Sequence, residues 1–300
     1  MSLPPETGTA ETGVIHDIGY RGYTGPRLGR GYATRSLFTQ GLRAAYGLGR
    51  SGRSKVLPML VLAVVTLPAV VIVAMAIVQG RSELPLDYPS YPSALGLVVE
   101  LFVAAQAPVL MSRDLRYNTV PLYFSRPITR GDYVRAKFGA MAVAMMLLMT
   151  APMLVLYLGA VLGGMPFGHN TAHVLYGLAA AVLLALVYSA VGLLIAASTP
   201  RRGFGVAAIM GFLVVSQGIA VVILGIAGGL DSPVPPESAN WVGLLSPGWL
   251  VEGLVNRLFG LGSAADLHAP GALGVTVFAL EAAVIVAGSY GLLRRRYRDI

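Results

Sequence analysis

The sequence predicts an all-α integral membrane protein with six transmembrane helices. Three observations support this fold class: six apolar stretches of 18 to 25 residues, few charged residues, and a one-sided distribution of cations. At the helical rise per residue, each stretch is long enough to cross the hydrocarbon core of a bilayer. Charged residues make up only 12% of the chain, against about 25% in soluble domains. The predicted spans are 56–78, 94–111, 138–162, 174–197, 205–227 and 272–292.

The distribution of Lys and Arg predicts the orientation of these spans. When the intervening segments are assigned alternately to two faces, 20 of the 22 Lys and Arg residues fall on one face. The segment before the first span, the 112–137 loop, the 198–204 loop and the C-terminal segment hold 8, 6, 2 and 4 of them. The other face holds only Arg81 and Arg257. Short loops rich in Lys and Arg stay cytoplasmic, so we expect a multi-pass protein of the cytoplasmic (inner) membrane with both termini inside.

Composition narrows the classes of function. The net charge of +8 follows from this topology, so it does not indicate nucleic-acid binding, and the inner cations are expected to meet anionic lipids. The chain has no cysteine, which excludes disulfides, thiol catalysis and Cys-based metal sites. It lacks the G-x-x-x-x-G-K-[ST] loop that cradles nucleotide phosphates, and we predict no metal or cofactor bound by this chain. Arg outnumbers Lys by 20 to 2, which suggests a bacterium with a GC-rich genome.

The segment before the first span divides into two parts. Residues 1–32 are polar and rich in glycine, which predicts a flexible cytoplasmic tail. Residues 33–55 predict a basic amphipathic helix, because apolar residues such as Phe38 and Leu42 recur at helical spacing. Such a helix usually lies in the membrane interface. Whether it is only an anchor, or also contacts a motor subunit, stays open at this point. The six-span domain covers the rest of the chain, 56–300.

The longest outer loop, residues 228–270, contains an apolar run that resembles a seventh span. Glu252 and Arg257 interrupt this run, and one more crossing would place the C-terminal arginines outside the cell. Ser246 and Pro247 suit the N-cap and first position of a helix. We therefore expect a short amphipathic helix at the outer interface, between the fifth and sixth spans.

Two acidic residues fall inside predicted spans. Glu281 lies near the middle of the sixth span, and Glu100 lies in the outer half of the second. An ionised acid at mid-membrane costs at least about 2.5 kcal/mol, so each should be protonated, paired or exposed to water. We treat both, together with Gln106 and Gln217, as candidates either for a translocation path or for interhelical polar contacts. Further candidate hydrogen-bond partners for the acids are Tyr188, Ser189 and Thr276.

The 112–137 loop is the main candidate functional segment. Its apolar residues are flanked by six cations and only two acids, Asp114 and Asp132. Such a surface suits docking to a soluble protein, although a loop that merely sets the topology would also be basic. Thr129 and Asp132 have the spacing of a capping box, which would start the helix of the third span. The candidate residues are Arg113, Asp114, Tyr123, Phe124, Ser125, Arg126, Pro127, Ile128, Thr129, Arg130, Asp132 and Tyr133.

Part of this loop resembles a known family of transporters. The run from Tyr123 to Lys137, with Ser125-Arg126-Pro127 at its centre, resembles the loop between the second and third spans of bacterial ABC exporter permeases of the type-2 superfamily. Leu245-Ser246-Pro247, the amphipathic N-terminal helix and the six spans are also similar, so the resemblance covers about residues 33–300. The 1–32 tail is longer than the family minimum, and its role is unassigned.

The resemblance implies an assembly of several subunits. The permease would pair with a second permease, identical or homologous, and with two separate ATPase subunits that bind ATP and Mg. The loop after the second span would carry a cytoplasmic coupling helix that sits in a cleft on the ATPase. The chain itself would be a transport subunit and not an enzyme.

These observations predict a permease subunit of an ATP-driven exporter. Its cargo would be an amphipathic or lipid-like compound, such as a drug, an antibiotic or an envelope component. Three alternatives stay open: an ion- or proton-coupled secondary transporter that uses the intramembrane acids, a membrane-embedded lipid-modifying enzyme, and a membrane scaffold without transport activity. The secondary transporter predicts an internal repeat, and the enzyme predicts clustered His, Asp or Glu at one membrane face. Neither pattern is clear in the sequence.

Overall fold

The computed structural model is a bundle of long helices with several short ones at its two ends. It describes residues 24–25, 28–125, 128–228, 235–262 and 266–298, and within these ranges it contains no β-strand. The α-helices are α1 (Arg30–Ala45), α2 (Gly52–Val78), α3 (Tyr91–Ala94), α4 (Gly96–Leu110), α5 (Ser112–Arg116), α6 (Val120–Phe124), α7 (Arg130–Leu162), α8 (Phe167–Ser198), α9 (Arg202–Ile226), α10 (Pro247–Phe259) and α11 (Gly271–Arg296). A 3-10 helix covers Glu237–Leu245.

Six of these helices are long and apolar enough to cross a membrane, which confirms the predicted all-α fold with six spans. They are α2, α4 with its continuation α5, α7, α8, α9 and α11. The helices extend beyond several predicted spans: α7 begins at Arg130 and α8 at Phe167. The apolar pattern marks only the membrane-embedded part of a helix, whereas polar residues at its ends continue the same backbone hydrogen bonding.

The core of the bundle is formed around α7 and α8. α7 packs against α1, α2, α4, α8 and α11, and α8 packs against α4, α9, α10 and α11 as well. The most apolar window of α4 is 72% buried within the chain, whereas those of α9 and α11 are only 17% buried. The exposed faces of these two peripheral helices are therefore available to lipid or to a second subunit.

Helix α1 differs from the predicted helix over 33–55. It begins at Arg30 and ends at Ala45, because the chain then turns at Gly47 and Gly49, which both have positive φ angles. Its buried side faces α7, and the Tyr46 hydroxyl donates a hydrogen bond of 2.8 Å to the carbonyl oxygen of Ala144. α1 is thus packed onto the third span, a contact that its amphipathic pattern does not predict.

We expect Gly41→Val to detach α1 from α7. A Cβ atom at Gly41 would lie 2.9 Å from the Cβ of Ala140, so the two helices could not keep their separation. Overpacking of this kind costs about 1–3 kcal/mol, and thermal unfolding of the purified protein should show the loss. Gly31→Val is the matched control, because a Cβ atom at Gly31 meets nothing within 4 Å. Equal melting temperatures for the two variants would contradict this packing.

The segment between α9 and α11 contains the predicted short helix, α10, with Ser246 at the N-cap position and Pro247 in the first turn. The Ser246 side chain makes no capping hydrogen bond. One residue of the polar sector of α10 faces inward: Asn256 is buried, and its side-chain amide donates a hydrogen bond of 3.0 Å to the carbonyl oxygen of Leu267. Arg257 and Leu258, which follow it, are exposed. Asn256 is buried because the returning chain supplies a hydrogen-bond partner for it.

Some predicted features fall outside the described residues. These are Arg126, Pro127 and most of the predicted 1–32 tail. The last residues of that predicted tail are helical, because α1 begins at Arg30.

Candidate functional site

The 112–137 loop forms two short helices, α5 and α6, at one end of the bundle. Asn118 has a φ of 49°, a left-handed conformation that turns the chain between them. The Ser112 hydroxyl donates a hydrogen bond of 2.8 Å to the carbonyl oxygen of Ala196 near the end of α8. The backbone amide of Thr119 donates to the carbonyl oxygen of Asp114 at 3.0 Å. The loop is therefore folded against the bundle and does not extend freely from it.

A buried ion pair joins this loop to the third span. The ammonium group of Lys137 on α7 lies 2.7 Å from a carboxylate oxygen of Asp114 on α5. The Tyr133 hydroxyl donates a hydrogen bond of 2.9 Å to the same oxygen. We call Asp114, Tyr133 and Lys137 the ion-pair cluster; each of the three is less than 7% exposed.

Aromatic rings enclose the ion-pair cluster. The Lys137 ammonium lies 5.4 Å from the ring centroid of Tyr133 and 5.9 Å from that of Tyr123, within the range of a cation–π attraction. The ring of Tyr297, just after α11, lies 5.0 Å from that of Tyr133. Burial raises the pKa of Tyr297 to about 12, so its hydroxyl is neutral at physiological pH. The rings exclude water from the ion pair. Separating the two charged groups therefore costs more free energy than it would in a solvated pair.

A second group of polar contacts joins α1 to the start of α7. The predicted capping box is present: the Asp132 amide donates to the Thr129 hydroxyl, and the Asp132 carboxylate accepts from the Thr129 amide at 3.1 Å. The same carboxylate accepts from the guanidinium groups of Arg30 on α1 and Arg135 on α7. We call Arg30, Thr129, Asp132 and Arg135 the cap cluster. Through the cap cluster, the N-terminal turn of α7 is joined both to α1 and to the end of the 112–137 loop.

The tip of the loop faces away from the bundle. Leu122 on α6 is 67% exposed and Tyr117 is 64% exposed. Their exposure leaves an apolar surface with charged neighbours at the same end of the bundle as the ion-pair cluster. Exposed apolar groups rimmed by charges are typical of a protein docking surface.

The other candidate residues of the loop have different surroundings. Arg113 lines a cleft beneath α1, Ser125 donates a hydrogen bond of 2.9 Å to the carbonyl oxygen of Leu122, and Ile128 is buried. Arg130 is exposed, with its guanidinium carbon 5.8 Å from the ring centroid of Phe124. The structure therefore separates the predicted set into a buried group that joins the loop to α7 and an exposed group at the surface.

Sequence reasoning missed three contributors to this site: Lys137, Tyr297 and Arg30. Lys137 follows Tyr133 by one helical turn, so the i, i+4 spacing on α7 places the two on one face and was a usable signal. Tyr297 is different, because its hydroxyl contacts the sulfur of Met111 at 3.5 Å across 186 residues of sequence. No pattern among neighbouring residues predicts a contact between residues so far apart in the sequence.

The four polar residues proposed for the membrane interior do not form one site. The Tyr188 hydroxyl donates a hydrogen bond of 3.2 Å to Glu100, whose second carboxylate oxygen has no partner among the described residues. Glu100 and Gln217 line a cavity of about 30 Å³, together with Glu252. Burial raises the pKa of Glu252, although a hydrogen bond from Ser93 opposes this.

The remaining two polar residues lie elsewhere. Gln106 lines a separate cleft next to Arg50, Arg53 and Arg202. Glu281 is half-buried on the peripheral helix α11. A single polar path formed by all four residues is therefore not assembled within one copy of the chain.

Comparison with known proteins identifies the family. The family model with the description ABC-2 family transporter protein matches residues 52–227, which include the first five spans and the whole 112–137 loop. No curated protein gives a significant match. The match covers more than half of the chain, and its region contains five of the six helices that are long and apolar enough to cross a membrane. The chain belongs to the ABC-2 transporter family and is a multi-pass membrane protein, the permease subunit of an ABC transporter.

Proposed function

We propose that this chain is the permease subunit of an exporter in the cytoplasmic membrane. Two permeases, identical or homologous, would work with two ATPase subunits that hold ATP and Mg. The end of the bundle that carries the 112–137 loop would face the cytoplasm, as the distribution of cations indicates. The observation that carries the proposal is the buried ion pair between Asp114 and Lys137, which joins an exposed loop to a membrane-spanning helix.

This connection supports a mechanical role for the loop. α7 has 33 residues, so it is about 50 Å long and extends well beyond a hydrocarbon core of about 30 Å. Its N-terminal turns hold the ion-pair cluster and the cap cluster outside that core. A displacement of α5 and α6 by a closing ATPase would pass through Asp114 to Lys137 and along α7. Because α7 packs against five other helices, its movement would rearrange the bundle.

The contact with the ATPase would be made by the exposed tip of the loop. Leu122 is the most exposed large apolar residue of α5 and α6, and apolar anchors surrounded by polar groups supply most of the binding energy at interfaces. The loop is held in place before binding by the ion-pair cluster. Association therefore does not require the loop to be ordered first, a cost that would weaken it.

We expect Leu122→Asp to weaken association of the permease with its ATPase subunit by about tenfold or more. The substitution replaces an apolar anchor with a charge that must be desolvated on binding. Co-purification of the tagged permease with the ATPase from the native membrane measures this effect. Leu258→Asp is the matched control, because Leu258 is 53% exposed on α10 at the other end of the bundle. Unchanged ATPase recovery with Leu122→Asp would remove the loop tip from the interface.

An amphipathic or lipid-like cargo is consistent with the surfaces of the spans. α9 leaves most of its apolar residues uncovered within one chain, which supports a path formed where two permeases meet. Glu100 and Gln217 would then supply polar contacts near that path. Reconstitution of both subunits in vesicles, with ATP on one side, tests the direction of transport. Cargo movement that required a proton gradient and no ATPase would favour the secondary transporter instead.

A further inference from the structure

A cleft rich in arginine lies where the start of α7 meets the end of α11. Its volume is about 660 Å³, and its wall contains five guanidinium groups. We call it the arginine cleft and define it by Arg30, Arg130, Arg135, Arg294 and Arg298. Tyr290 forms the wall nearest the membrane-spanning part of α11. We propose that the arginine cleft binds the phosphate group of an anionic phospholipid.

Within the described part of the chain, Asp132 pairs with two of the arginines of the cleft, Arg30 and Arg135. Its side chain is 4% exposed. Arg130 and Arg294 are exposed and form no ion pair with any residue in the described part of the chain. Two guanidinium groups are thus available for an anion, beside two others that Asp132 holds in position. The guanidinium fork matches phosphate oxygens in a two-point contact.

These two arginines line the same cleft. The guanidinium Nε of Arg294 lies 3.9 Å from where a Cβ on Gly131 would be, so it sits directly over the first turn of α7. Arg130 is the neighbouring residue, and the absence of a side chain at Gly131 leaves space between the two. The positive end of the α7 dipole points to the same space. The cleft is therefore a preformed site for a compact anion.

The depth of the cleft in the bilayer favours a lipid over a soluble partner. α11 changes from apolar to basic at its end, with Tyr290 one turn before Arg294. Tyrosine is enriched at the level of the headgroups, and arginines just beyond it meet the lipid phosphates. From Tyr290 to Arg296, where α11 ends, the helix rises about 9 Å, which covers the headgroup layer of about 5–8 Å. A phosphate held there keeps its acyl chains beside the apolar face of α11.

Native mass spectrometry of the isolated chain in neutral detergent tests this site. The chain is offered phosphatidylglycerol and phosphatidylcholine with the same acyl chains. We expect preferential binding of phosphatidylglycerol, and R130Q/R294Q should lower its affinity at least about tenfold. R116Q/R201Q is the matched control: it removes the same charge from exposed positions at the same end of the bundle but outside the cleft. R130K/R294K should give an intermediate affinity, because lysine keeps the charge without the fork.

Several results would overturn the proposal. Equal binding of the two lipids would show that the cleft does not select a lipid with a net negative charge. An equal loss of affinity in R116Q/R201Q would show a diffuse charge effect. Displacement of the lipid by inorganic phosphate at equal concentration would make the cleft a site for free phosphate. Unchanged lipid binding in R130Q/R294Q, with loss of ATPase recovery, would assign the cleft to the ATPase. If the double variant does not fold, R294Q alone carries the same test, because Arg294 is exposed.

This test is independent of the transport proposal. Its lipid-binding measurements use the isolated permease, without ATPase or cargo, so a negative lipid result would leave the role of the 112–137 loop unaffected. Failure of the loop experiments would in turn leave the lipid result unaffected.

Discussion

Lys137→Met is expected to lower the free energy of unfolding by about 3–5 kcal/mol. The substitution leaves the Asp114 carboxylate buried, and the side-chain partner that remains among the described residues is the Tyr133 hydroxyl. An uncompensated charge in such surroundings is far more costly than the pair itself is stabilising. Chemical or thermal unfolding in detergent measures the loss. Lys55→Met is the matched control, because Lys55, the only other lysine in the sequence, is exposed at the start of α2. Its substitution should change the free energy of unfolding by less than about 0.5 kcal/mol.

A triple variant of the ion-pair cluster distinguishes the contribution of the ion pair to stability from its contribution to transport. D114L/Y133F/K137M removes both charges and the hydroxyl that would lose its acceptor, so no buried polar group of the ion-pair cluster is left unpaired. Replacing a buried ion pair by apolar residues of similar volume is often neutral or stabilising, so most of the lost stability should return. We expect transport to stay impaired, because a directional contact between α5 and α7 has become a non-directional one. Full recovery of transport would show that the ion pair serves only the fold.

Asp132→Ala is expected to have the second largest effect, a loss of about 1–3 kcal/mol in stability. The change removes one half of the capping box and the shared partner of Arg30 and Arg135. The contribution of the ion pairs themselves is limited, since these arginine side chains are 53% and 60% exposed. The larger consequence is local: α1 loses its ion pair with the start of α7 and keeps there only the hydrogen bond from Arg30 to the Thr129 hydroxyl among the contacts of the cap cluster. Hydrogen exchange of the α1 amides should become faster.

Two variants that each remove one arginine charge test this local effect. Arg30→Gln removes a contact between α1 and α7, whereas Arg135→Gln removes a contact within α7 alone. Only Arg30→Gln should accelerate exchange in α1. If both variants accelerate it equally, the attachment depends on net charge at this end of the bundle and not on the geometry of the cap cluster.

Local patterns in the sequence were sufficient to predict the six spans and the capping box. The six spans follow from the length of the apolar runs, and the capping box at Thr129 and Asp132 follows from residue types three positions apart. Both features depend on interactions within one helix or between a helix and lipid. Such interactions depend on residues that are close together in the sequence, so they can be predicted from a single sequence.

The surroundings of individual side chains could not be predicted from local sequence patterns. The helical pattern of α10 suggests a polar side at the membrane surface, but Asn256 is buried against the chain at Leu267. The pattern of α1 suggests an interfacial helix, but its apolar side covers α7. Amphipathicity shows that a helix has two different sides; it does not show what covers each side.

Sequence patterns alone predict a six-span bundle with a basic, partly apolar loop after the second span. How that loop is joined to the spans became clear from the packing of the helices: Asp114 pairs with Lys137, and the ring of Tyr297, from the end of α11, packs against Tyr133. The difference comes from the range of the interactions. Apolar run length and helix caps act between near neighbours, whereas a buried charge finds its partner only after the helices have packed.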